Sequence, residues 1–100
     1  MNSKNLTAMI EYPREGIISK VISKTGKKDV TLFSMAGGTE ISEHTSTKEG
    51  IVYVIEGKGI FTLQGSRIKM ESGVIIFMDK NMPHSLEAEE NTSFLLVLVI

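Results

Sequence analysis

The stretch GTEISEHTSTKEGIVYVIEG, residues 38–57, decides how this chain is to be read. In its second half Val52 and Val54 share one side of an extended strand and Ile51, Tyr53 and Ile55 the other, so both faces are apolar and both need cover. Its first half is polar, and on a regular strand Glu40, Ser42, His44 and Ser46 fall on one face, with Glu43 and Thr45 on the other. Gly38 opens the stretch, and the run Glu56, Gly57, Lys58, Gly59 allows a tight reversal at its end. The local pattern is therefore short strand, turn, short strand.

The same pattern extends outward in both directions. Apolar stretches are short, rich in Ile, Val and Phe, and bounded by Gly, Asn, Asp or Ser. Strands are predicted over 17–23, 30–35, 39–45, 51–56, 59–64, 67–70, 73–78, 84–88 and 92–100, with no convincing helix. Short turns make neighbours antiparallel, and the absence of crossover helices points to an all-β sandwich or barrel rather than an α/β fold.

Composition narrows the function classes. A chain of 100 residues has room for one domain, 1–100, and its 41% hydrophobic and 23% charged residues are globular values. Eleven basic against twelve acidic residues leave a formal charge of −1, which supplies no positive field for nucleic acid or an anionic membrane. The lack of cysteine removes disulfides, iron–sulfur ligation and thiolate zinc sites. The longest apolar run, Phe94 to Ile100, has the length of a buried strand rather than of a spanning helix, and the first residues carry no signal-peptide core. A cytoplasmic location is the expectation. No Ser-His-Asp set and no phosphate-cradling glycine loop has meaningful spacing.

Residues 38–57 resemble the first motif of the cupins, G-x5-H-x-H-x3,4-E-x6-G. Gly38, His44 and Gly57 match, while Ser46 stands where a second histidine is expected and Gly50 where the glutamate is expected. The segment GVIIFMDKNMPHSLEA, residues 73–88, is similar to the second motif, G-x5-P-x-G-x2-H-x3-N. Gly73 and His84 match; Asp79, Asn81 and Ala88 are substitutions, Asn81 being one that tolerates positive φ. The resemblance implies a cupin-type double-stranded β-helix, a jelly-roll β-barrel, in which His44 and His84 approach each other at the barrel mouth.

In that family the matching positions hold a divalent metal, so the resemblance makes His44 and His84 candidate ligands for iron, manganese, nickel, copper or zinc. A third ligand is wanting. Glu49 lies one residue before the expected glutamate, and a one-residue shift turns a strand side chain to the other face unless a bulge restores it. Glu40 shares parity with His44 but sits four residues back. Three readings follow. The first is a small-molecule-binding cupin in which His44, Ser46 and His84 offer hydrogen bonds in an otherwise apolar pocket. The second is a metal-dependent dioxygenase, isomerase or lyase, and the third a filled barrel with a structural role. The outer face carrying Ile51, Tyr53 and Ile55 predicts a homodimer; the alternative is that the N-terminal strand folds over it.

Overall fold

A computed structural model describes residues 2–100. Its strands are β1 (Ile17–Lys24), β2 (Lys28–Met35), β3 (Glu40–His44), β4 (Glu49–Glu56), β5 (Gly59–Leu63), β6 (Ser66–Met70), β7 (Ile75–Met78), β8 (His84–Ala88) and β9 (Thr92–Val99). They form two antiparallel sheets, ordered β1-β2-β9-β4-β7 and β3-β8-β5-β6. The predicted strands all form, with ends that agree to within two residues. The apolar run near the C-terminus is β9, the central strand of the larger sheet, paired on one edge with β2 and on the other with β4.

Alternation sends one set of side chains between the sheets. Met35, Val52, Val54, Phe61, Met70 and Phe94 are all buried there, and interdigitation across this layer is the main source of stability. The turn after β4 depends on Gly57. Its φ is +123°, and a Cβ would overlap Thr92 Cα, because Thr92 Oγ1 comes in to accept from Lys58 N at 3.1 Å. That contact ties the β4–β5 reversal to the start of β9.

One helix interrupts the expectation of none: α1 (Leu6–Met9), a single turn whose first N–H groups are capped when Asn5 Oδ1 accepts from Ala8 N at 3.2 Å. One turn has no readable apolar period. It belongs to an N-terminal segment laid over the outer face of the larger sheet. Lys4 Nζ donates to Ile22 O at 3.1 Å, and Lys20 Nζ donates to Met9 O at 2.9 Å. Tyr12 donates to Glu56 Oε2 at 2.8 Å and accepts from Ser93 Oγ at 2.9 Å. Burial, with Glu56 adding to it against the opposing Ser93 bond, pushes the Tyr12 hydroxyl up to about 12.

The outer face is thus covered on one side only. Leu32, outside the cluster between the sheets, is 1% exposed, whereas Tyr53, Ile75 and Phe77 on β4 and β7 remain 43%, 50% and 65% exposed.

Candidate functional site

The smaller sheet positions the histidines through a departure from regularity. In the β3–β8 ladder Glu40 faces Glu87 and Ile41 faces Leu86, but the next pair is His44 with His84. Three steps on β3 span two on β8, so β3 holds one extra residue, a bulge. It brings Ile41 and His44 onto the same inner wall although they are three residues apart. Glu40, Ser42 and Glu43 go instead with Thr62, Arg67 and Glu87 to an open groove of about 470 Å³. The expected common face of Glu40, Ser42, His44 and Ser46 is therefore corrected, since that expectation assumed an unbroken strand.

The two imidazoles lie with ring centroids 4.1 Å apart at an interplanar angle of 63°. His44 Nδ1 is 2.9 Å from Ser42 O, and His84 Nδ1 is 2.9 Å from Met82 O. A carbonyl oxygen only accepts, so each Nδ1 carries the hydrogen, and in the neutral ring Nε2 keeps a free lone pair. His84 is 7% exposed and stacks on Phe61 at 5.8 Å, nearly parallel at 5°. Among the described residues no buried side-chain nitrogen or oxygen lacks a partner, so the small exposure left to His84 includes its Nε2. His44 is exposed at the rim. One ring is held deep and the other at the opening.

Behind them is a cavity of about 140 Å³ walled by Phe33, Val52, Phe61, Met78, Phe94 and Leu96, with Ile41 and Leu86 beside the histidines. The imidazoles are its only polar lining among the described residues. These walls were not picked out as site residues from sequence, because an inward-facing Phe on a strand reads as core wherever it stands. The usable signal was parity: Phe61 shares a face with Gly59, and Phe94 with Leu96.

Two expected participants are not brought to the pair. Ser46 is no part of the cavity wall; its Oγ accepts from Lys48 N at 3.1 Å and its carbonyl from Asn81 N at 2.7 Å, which holds it in the loop before β4. Glu49 faces away as well. β4 pairs with β9 in unbroken register from Glu49 to Val54, so no bulge re-aims Glu49, and it stays exposed on the side opposite Gly50. Both assignments are corrected.

The donor set does not fit a resident metal. Among the described residues no third histidine, aspartate or glutamate joins the pair, and two imidazoles fall short of the three protein ligands that a catalytic site uses. The inward position nearest Glu49 is tightly packed: a Cβ on Gly50 would meet Leu98 Cδ2 at 3.0 Å and Met78 Cε at 3.1 Å.

Two facing antiparallel sheets with an imidazole pair over an apolar interior define a class of small β-barrel. The cupin domain model matches residues 31–100, and the chain belongs to that family. Solved structures agree. A conserved protein of unknown function from Streptococcus pyogenes is 26% identical with a TM-score of 0.87, over 98% of this chain and 86% of that one. An RmlC-like cupin from Desulfovibrio desulfuricans is 20% identical with a TM-score of 0.88, over 99% and 96%. The salicylate 1,2-dioxygenase of Pseudoaminobacter salicylatoxidans, as its G106A mutant, is 19% identical with a TM-score of 0.78, over 83% of this chain but 26% of its own. A search of curated proteins found no match.

Proposed function

We propose that this cupin domain binds a small molecule in the cavity between its sheets, with His44 and His84 as the hydrogen-bonding groups and no resident metal. One observation carries the reading: both rings line an otherwise apolar space and are anchored through Nδ1 to main-chain carbonyls, which leaves Nε2 of each neutral ring as its free acceptor. The wall is preformed, and polar groups are few and convergent, as in ligand pockets generally. A metal-dependent activity like that of the dioxygenase class has the imidazole pair in its favour and the missing third ligand against it.

The test is metal content and ligand binding on one preparation. Protein purified without added ions is expected to hold well under one equivalent of transition metal and to gain thermal stability with small apolar ligands in the presence of a chelator. A full equivalent of bound metal that His84→Ala releases supports the metal-dependent enzyme instead.

For the uncovered part of the larger sheet we propose a second copy of this chain. Ile51 lies opposite Phe77 and Tyr53 opposite Ile75, and β7 is the sheet edge, so a two-fold axis beside it would join identical apolar surfaces. Light scattering is expected to give a dimer that Phe77→Lys converts to monomer; a wild-type monomer at high concentration refutes it.

A further inference from the structure

We infer that the ligand is a neutral single-ring molecule carrying a hydroxyl donor, a phenol in chemical class; this rests on the binding reading above. Size sets the first limit. The cavity of about 140 Å³ is close to the roughly 150 Å³ apolar space that accepts benzene in an engineered protein. One six-membered ring with a small substituent fills it, and a fused second ring would stand out past His44 at the opening, where it gains little burial.

Charge sets the second limit. Among the described residues no lysine, arginine, aspartate or glutamate lines the cavity. Arg67 belongs to the groove on the other side of the smaller sheet, where it pairs with Glu87 at 3.3 Å. With both imidazoles neutral, a carboxylate entering the cavity would leave water without a countercharge, as would an ammonium group, and either desolvation is far costlier than that of a neutral ring.

Polarity sets the third. With each Nδ1–H committed to a carbonyl, the neutral rings offer acceptors and no donor at Nε2. A ligand that only accepts, such as an ether or a ketone, leaves them unmatched, whereas a hydroxyl satisfies them. His84, the deeper ring, is held flat against Phe61, so its orientation at the cavity wall is fixed, and His44 stands beside it at the rim. Phe33 and Phe94, stacked at 5.3 Å, form an aromatic wall suited to a ring face.

The experiment is an NMR-detected titration of the full chain, in the presence of a chelator, with four probes: phenol, toluene, benzoate and 2-naphthol. Phenol is expected to bind about tenfold more tightly than toluene, the worth of one matched hydrogen bond near the top of its usual range. Benzoate and 2-naphthol are expected to bind more weakly than phenol by at least that factor. His84→Ala is expected to erase the preference for phenol over toluene; should that variant not fold, His44→Ala, an exposed position, is expected to reduce it. Equal binding of phenol and toluene, or benzoate binding as well as phenol, overturns the inference and leaves a cavity that binds apolar molecules. Failure of both phenol and toluene to bind overturns the binding reading itself, and the inference with it.

Discussion

The same one-methylene substitution at two positions of β4 is expected to change stability in opposite directions. Val52 and Val54 point to the same side of the strand and are both essentially inaccessible, at 1% and 0% exposure. Val52 forms part of the cavity wall and Val54 does not. In Val52→Ile the added methylene is expected to enter the cavity that Val52 lines and to gain about 0.8 kcal/mol of burial. For a domain of this size that raises Tm by about 3–6 °C. In Val54→Ile it enters filled core and costs about 1–3 kcal/mol through displaced neighbours, lowering Tm by at least about 4 °C. Both residues are β-branched, so strand propensity stays level. Calorimetric melting, with urea unfolding to check that the slope is unchanged, reads the difference. If both variants fall together, the space beside Val52 is not there to be filled, and the ligand account fails with it.

Other outcomes follow from particular contacts. Gly57→Ala forces a side chain onto the Thr92 backbone at φ +123° and is expected to cost about 2–6 kcal/mol by chemical denaturation; a loss under 1 kcal/mol would mean that the β4–β5 turn relaxes freely. Asn81 has φ +63°, so Asn81→Gly is expected to be neutral or stabilising while Asn81→Val loses about 1–2 kcal/mol; the reverse order in melting temperature contradicts a left-handed residue there. Tyr12 titrates at about 12 when folded against 10.0 ordinarily. The unfolded chain therefore gives up this proton first, so the contribution is whole below pH 10 and is lost as pH rises from 10 towards 12. Stability in that window is expected to fall more steeply in the wild type than in Tyr12→Phe, and parallel curves would show that Tyr12 is not so held.

What could be read in advance was local. Each strand announced itself by alternation and by the Gly, Asn, Asp or Ser at its ends, and the pairing of His44 with His84 followed from the family resemblance. The parts that were not legible depend on how one strand meets another. The bulge between Ile41 and His44 is a mismatch of β3 against β8, and nothing in the order of Ser42 and Glu43 marks it. It fell in β3, so Glu49 on β4 had nothing to turn it inward. Ser46 left the site for a similar reason: its hydroxyl found a nearer partner in Lys48 N, and hydroxyls compete for local backbone groups wherever the chain turns. Coverage of the outer face was legible only as a need; Tyr12 reaching Glu56 and Ser93 across the sheet is a tertiary fact.

The proposed site consists of two neutral imidazoles, each holding its hydrogen on Nδ1 and leaving Nε2 bare beside an apolar cavity. Long-range ¹H–¹⁵N spectra of the histidine rings, recorded on chelator-treated protein at alkaline pH, read this directly. Two rings with a pyridine-like Nε2 and a protonated Nδ1 are expected, with Nε2 resonances that move when phenol is added. A hydrogen on Nε2 of His84, or ring signals that phenol leaves unmoved while it binds elsewhere, would contradict it.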